Sequence, residues 1–357
     1  MNSRERLLAV LSGKDPDRLP WAPLVDKYFL SSLTNEFKDM GYVELFRNIG
    51  ADLMLRHVPV VRYEYEGGIE RIVSMGSPGE VRTVFKTPVG TISQTVEHHS
   101  GTTRWKEYFI KDIEDIKVLR YVENHKRISA DYESFISKDK EIGDNGLATA
   151  SAPPTPLASM HEFYIGLENC IYFLYDYPEL MEDVMNVIHE NNIKENEIIA
   201  KSPSAAVFIY EDTSTTTISR DFYERYCLGQ INDYAAVVKK CEKPYIVHMC
   251  GKLYGFRDLI NRTKTDGIDS LCPPSTGDVW LHEGRKYWPD KIIIGGIEPA
   301  ALAMYDKSKF KRYAKEILDK IDGLKGIILS TGDAVPHGTP VENLRIVTEL
   351  INEKYGF

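Results

Sequence analysis

The chain has 357 residues, 43% apolar and 27% charged, with 25 Gly and 18 Pro, a composition that allows a large core and excludes collagen-like and disordered classes. A formal net charge of −9 with no basic stripe excludes nucleic acid as the main partner. The apolar stretch in MNSRERLLAVLSGK covers about five residues, short of a signal-peptide core, and no window nears the roughly 20 apolar residues of a membrane span. A cytoplasmic protein is expected, with Cys170, Cys227, Cys241, Cys250 and Cys272, odd in number and scattered, as reduced thiols.

In chain order, LPWAPLVD (19–26) and ADLMLRH (51–57) read as strands on either side of a helical stretch from about Leu33 to Asn48. Between about 60 and 110 the pattern changes. VRYEYEGG, EVRTVFKTPVGTISQTVEH and TRWKEYFI alternate apolar with polar residues, are rich in Tyr, Val and Thr, and are divided by Gly pairs and an SPGE turn. They predict an antiparallel β-hairpin insertion.

From about residue 145, six short apolar runs each precede a helical segment. GLATAS leads into a helix from about Met160 to Ala200, and AAVFIYED, YIVHMC, GIDSLC, KIIIGGIEP and GIILSTGD follow in the same rhythm. Eight strand-helix units in all predict an α/β fold, a single-domain (β/α)8 TIM barrel over 1–357 with the insertion between strands 2 and 3.

Such a barrel carries its chemistry at the C-terminal ends of its strands. Those ends hold Asp26, Arg56 and His57, the SAPPTP loop, Glu211 and Asp212, His248 and Cys250, Cys272, Glu298, and Asp333. His248 and Cys250 stand at i and i+2, on one face of a strand, and supply two ligands of a zinc site. Asp333, Cys272, Glu211 and Asp212 are candidates for a third. Each has a plainer reading: a strand-end histidine is more often hydrogen-bonded than metal-bound, Asp212 can cap a helix, and His57 can bond a carbonyl. Gly332 and Gly338 suit turn positions near the mouth, and His337 suits solvent.

RERLLAVLSGKDPDRLPW, TPVGTI, YIGLENCIYFLYDYPELMEDV, HMCG, KIIIGGIEP and ILSTGDAVPHGTPVENL together resemble the uroporphyrinogen decarboxylase superfamily over essentially the whole chain. That resemblance implies a barrel and one of two chemistries: cofactor-free decarboxylation of tetrapyrrole acetates, or zinc-dependent methyl transfer to or from a corrinoid protein. The decarboxylases carry an arginine-rich RQAGR element after the first strand, where this chain reads WAPLVDKYFLSS. The methyltransferase branch has the HxC after strand five and usually a cysteine after strand eight. Asp333 stands in that last position, so the resemblance implies His248, Cys250 and Asp333 as zinc ligands, with Cys272 or Glu211 as alternates for the third.

A carboxylate in place of cysteine makes zinc a stronger Lewis acid and a poorer activator of thiolates. The expected activity is therefore methyl transfer from a small methylated substrate, a methoxylated and even aromatic one, to the cob(I)alamin of a separate corrinoid protein. Glu211, Asp212 and Asp26 are the expected catalytic groups, and Tyr28 and His57 the expected substrate contacts. A filled eight-stranded barrel has no room for cobalamin, so the inserted hairpins would form a docking rim for its carrier, or else a homodimer contact. Methylcobalamin:thiol methyl transfer, a uroporphyrinogen decarboxylase-like lyase and a non-catalytic ligand-binding relative are the alternatives.

Overall fold

The structure, a computed structural model, describes residues 1–99 and 102–356. Its strands are β1 (Leu53–Val58), β2 (Val61–Tyr65), β3 (Glu70–Met75), β4 (Glu80–Thr87), β5 (Gly90–His99), β6 (Thr102–Glu107), β7 (Lys126–Ala130), β8 (Gly146–Ala152), β9 (Val207–Tyr210), β10 (Tyr245–His248), β11 (Gly267–Leu271), β12 (Ile292–Ile297) and β13 (Ile327–Thr331). Seven of them form a parallel sheet in the order β1-β8-β9-β10-β11-β12-β13. Residues 20–22 bond to both of its outer strands. Ala22 N donates to Leu329 O and Leu329 N to Pro20 O, each at 2.9 Å, while Asp52 N, just before β1, donates to Trp21 O at 2.7 Å. This curled sheet fits a TIM-like barrel.

The strand expected at 19–26 is reduced to one bridge, Trp21 to Leu329. Pro20 and Pro23 flank it, and proline has no N–H to give a ladder. The helix expected from Met160 to Ala200 is also divided, into a wide turn at Met160–Tyr164 and helices Leu167–Asp176 and Pro178–Ala200. Gly166, at φ +86, breaks it where a Cβ would press on the Tyr108 ring, and Pro178 starts the last helix.

Between β1 and β8 the chain forms the antiparallel pair β2-β7 and the four-stranded antiparallel sheet β3-β4-β5-β6. Phe85 and Ile92 of that sheet are buried in the main core. Among the described residues, no helix is long and apolar enough to cross a membrane.

Alternation along the strands sorts side chains into two layers. Ala22, Met54, Leu147, Phe208, Ile246, Ile294 and Ile328 pack with Leu7 and Val10 of the helix Ser3–Leu11 in a cluster of their own. That cluster is the lower barrel interior, plugged by the helix. Neighbours of opposite parity, such as Ala148, Val207, Ile209, Tyr245, Val247 and Ile293, belong to the larger core shared with the outer helices.

Below this interior, Asp52 is fully buried and accepts from Arg6 Nη1 at 2.5 Å, Arg18 Nη2 at 3.5 Å and Trp21 N at 3.1 Å. Asp52 thus bridges two buried guanidiniums, of which Arg6 also pairs with Asp17 at 2.7 Å, and it fixes the 20–22 segment against β1. Replacing Asp52 with Ala would leave both cations without this partner, and an Asp52→Ala variant is expected to lose about 3–5 kcal/mol of stability. The expected reading is a lower urea midpoint with an unchanged denaturant slope.

Candidate functional site

The parity that places Phe208, Ile246 and Met54 inside the barrel also places the residues two positions on. Tyr210, His248 and Asp269 are register partners on the adjacent parallel strands β9, β10 and β11, and Arg56 follows Met54 on β1. These four form the layer above the apolar interior. His248 Nδ1 lies 3.0 Å from Asp269 Oδ2, and Arg56 Nη1 lies 3.0 Å from Asp269 Oδ1 across the barrel. Arg56 Nη2 donates to Ala22 O at 3.0 Å and to Ser330 Oγ at 2.8 Å. With Nδ1 protonated and held by Asp269, His248 keeps Nε2 for a ligand.

Cys250, two residues beyond His248, emerges on the same side, and Asp333 follows the end of β13. The ligand atoms of His248, Cys250 and Asp333 lie within 4.8 Å of one another. A close approach allows this. A Cβ at Gly332 would collide with Cys272 Sγ, so glycine lets the chain after β13 run against the end of β11. A second group, His57, His248 and Asp269, meets the same distance limit; there Asp269 is already engaged by Arg56.

The electrostatics follow from burial. For His248, burial works against the imidazolium, but the hydrogen bond and charge of Asp269 outweigh it and raise its pKa. Burial also pushes up the Cys250 thiol, reinforced by the charges of Asp212 and Asp333, and Asp333 itself. A divalent cation among these atoms would reverse both trends, favouring thiolate and carboxylate. The donor set of imidazole, thiol and carboxylate, with an outer carboxylate on the imidazole, suits zinc.

The other expected residues are distributed as follows. Asp212 joins the cluster, accepting from Cys250 Sγ at 2.7 Å. His57 packs its ring 5.7 Å from that of His248, and burial together with His248 and Arg56 holds it neutral, near pKa 3. His57 and Asp212 both have left-handed backbones, at φ +59 and +42, a strain of the sort that surrounding structure must hold in place.

Glu211 is not brought to the cluster. It has the parity of Val207 and Ile209, so it faces outward, and its two oxygens accept from Thr155 N at 2.9 Å and Thr155 Oγ1 at 2.6 Å. Its role is to hold the loop after β8. Cys272 likewise donates to Glu298 Oε2 at 3.0 Å. Asp26 caps the helix Lys27–Ser31 through Phe29 N, and Tyr28 Oη meets His98 Nδ1 at 3.2 Å and Thr103 Oγ1 at 3.0 Å on the antiparallel sheet.

Several residues of the site have no counterpart in the sequence reading. Asp269 lies inside β11 rather than at its end; the signal was an acid within the apolar run GIDSL, which burial obliges to pair. Tyr210 stacks on His248 with centroids 5.2 Å apart and was legible as the residue two after Phe208. Glu162, raised to about 9 by burial and by Asp212 and Glu211, is an acid kept neutral near the mouth. A cavity of about 390 Å³ adjoins the cluster, sharing His57 and Tyr210 as wall and reaching Tyr63, Pro154, Phe163 and Glu195.

A barrel whose strand ends gather nitrogen, sulfur and oxygen donors beside a cavity belongs to the enzyme-bearing class of α/β barrels. Residues 88–354 match the uroporphyrinogen decarboxylase (URO-D) family, and the chain belongs to it. Curated relatives include uroporphyrinogen decarboxylase of Carboxydothermus hydrogenoformans, 24% identical over 250 residues that cover 68% of this chain and 69% of the relative. The same enzyme of Helicobacter acinonychis is 22% identical over 255 residues, covering 69% and 70%. Among solved structures, a methyltransferase from Methanosarcina mazei superposes over 99% of both chains with a TM-score of 0.62 at 14% identity. That likeness is one of fold.

Burial raises the Glu211 carboxyl from 4.5 to about 7 against the opposing Thr155 hydrogen bonds, so the folded state holds its proton more tightly than the unfolded chain. The resulting stabilisation is present below pH 4.5 and lost as pH rises through 7. The stability of wild type relative to Glu211→Gln is expected to fall by up to ~3 kcal/mol over that window, measured by urea unfolding at several pH values.

Proposed function

We propose that the protein is a zinc-dependent methyltransferase that moves a methyl group from a small methoxylated substrate to the cob(I)alamin of a separate corrinoid protein. The observation that carries this reading is the convergence of His248, Cys250 and Asp333 ligand atoms within 4.8 Å, backed by Asp269 on His248. Zinc, when bound, supplies Lewis acidity that draws electron density from the ether oxygen of the substrate. The chain does the rest. Arg56 fixes Asp269, Asp269 fixes the His248 tautomer, and Asp212 accepts the proton that Cys250 releases on becoming a thiolate. The methyl group passes to cob(I)alamin as its C–O bond breaks, and Asp212, which takes up a proton from solvent in each turnover once Cys250 is a thiolate, gives that proton to the departing oxygen.

The names of the curated relatives favour a second reading, decarboxylation of a polycarboxylate. It meets an obstacle in the mouth. Arg56 is fully buried and spent on Asp269, Ser330 and Ala22 O, so it is not free to grip substrate carboxylates, and the stretch from Trp21 to Ser32 contains no arginine. The inserted sheet, reached by Tyr28, is suited in place to a corrinoid carrier that must meet the mouth.

Protein purified without chelator is expected to hold about one zinc per chain, measured by mass spectrometry. His248→Ala, Cys250→Ala and Asp333→Ala should lose it, while Cys272→Ala and Glu211→Gln retain it. Asp269→Asn should weaken zinc about 10–100-fold in a chelator competition. Zinc-loaded protein should then demethylate an aryl methyl ether with cob(I)alamin, followed by the corrinoid spectrum. Failure to hold zinc even after its addition would overturn the proposal and direct attention to the lyase.

A further inference from the structure

The cavity beside His57 and Tyr210 has a charge balance that the ligand cluster does not explain. Its volume of about 390 Å³ suits one small ring with its substituents. Aromatic side chains Tyr63, Phe163 and Tyr210 line it, the last two with centroids 6.5 Å apart. Glu195, 3% exposed, lines the same space from the helix Pro178–Ala200, and its Oε1 accepts from Tyr63 Oη at 2.6 Å.

A carboxylate this buried ordinarily has a cationic partner. The nearby candidate is Lys126, whose Nζ stands 5.5 Å from the centroid of the Tyr63 ring. That ammonium is engaged elsewhere, at 2.5 Å from Glu123 Oε2. Glu123 is further tied by Asn191 Nδ2 at 3.1 Å and Tyr164 Oη at 3.3 Å. Glu123 takes the Lys126 ammonium, and among the described residues no cation pairs with Glu195, which stands at the wall of a chamber lined mainly by aromatic and apolar side chains.

We propose that this cavity selects substrates bearing a cationic nitrogen, seated against the Glu195 carboxylate and the faces of Tyr63, Phe163 and Tyr210. An acid surrounded by aromatic faces is the arrangement that recognises alkylammonium groups, through ion pairing and the attraction of a cation to aromatic quadrupoles. Burial pushes the Glu195 carboxyl up, opposed by Tyr63 and Lys126; a bound cation shifts it toward the carboxylate. Tyr210 and His57 form both the cavity wall and the packing against His248, so the bound substrate lies beside the ligand cluster. The inference rests on the methyl-transfer reading for its chemistry, and on the cavity alone for its selectivity.

The test compares three probes with one ring and one methoxyl group: 4-methoxybenzylammonium, 4-methoxybenzyl alcohol and 4-methoxybenzoate. Titration calorimetry on zinc-supplemented wild type should rank them in that order, with the cation about tenfold or more tighter than the alcohol. Glu195→Gln should abolish that preference with zinc content unchanged, and Tyr63→Phe, which keeps the carboxylate, should preserve it. Equal binding of alcohol and cation, tightest binding of the benzoate, or no measurable binding of the cation would overturn the inference. If Glu195→Gln fails to fold, the wild-type ranking and Tyr63→Phe decide. Zinc measured in the same samples separates the two readings: cation preference without zinc removes methyl transfer alone, and zinc without cation preference removes the inference alone.

Discussion

Arg56 and Asp269, neither with side-chain exposure to water, meet at 3.0 Å inside the barrel. Each ion costs several kcal/mol to bury, and the pair is sustained by further hydrogen bonds that fix its geometry. Arg56 reaches Ala22 O and Ser330 Oγ, and Ser330 Oγ donates to Ala22 O at 2.7 Å. One ion pair thereby links β1, β11, β13 and the 20–22 segment, and through His248 it reaches β10. Any disturbance of the barrel at this level moves the imidazole.

Above this layer the backbone itself is constrained. His57, Asp212 and Ser270 occupy left-handed conformations at φ +59, +42 and +63, each at the top of a strand and none a glycine. Such positions cost of order 1–3 kcal/mol each. At His57, which follows the inward Arg56, the turn brings to His248 a side chain that the strand's alternation would send outward, and His57 and Asp212 flank the proposed ligand set. The loop after β8 is held from behind by Glu211 through Thr155, a contact that contributes to the cavity wall without touching the ligand cluster.

Much of this was legible in the sequence, and the limits have physical causes. The period of two placed His248 and Cys250 on one face, and the same period, applied to AAVFIYED, separates Tyr210 and Asp212 from Glu211. Attention to strand ends alone obscured that division. It also passed over Asp269, because a carboxylate in the middle of a strand signals its role only through the partner it requires, and Arg56 lies 213 positions away in the chain (269 − 56). The first strand was expected from the hydrophobic pattern of LPWAPLVD alone, and the signal that it would be shortened, Pro20 and Pro23 on either side of Trp21, went unused. Glu195 and Tyr63, brought together over a separation of 132 residues, left no local pattern to read.

The seam between the 20–22 segment and β13 has a consequence for the order in which the protein can be assembled. Leu24 N and Thr331 Oγ1, partners at 3.0 Å, are separated by 307 positions in the chain, and Leu329 bonds to residues on both sides of Trp21. During synthesis, which proceeds from the N-terminus at roughly 5–20 residues per second, the first segment must wait for those 307 further positions to emerge before it meets its neighbour. Until then β12 presents an open edge, and unpaired edges invite pairing with other chains. The interval is of order tens of seconds at those rates, and closure at the seam is a late, long-range event of the kind that slows folding. The nascent chain is thus most exposed to aggregation just before its last strand leaves the ribosome.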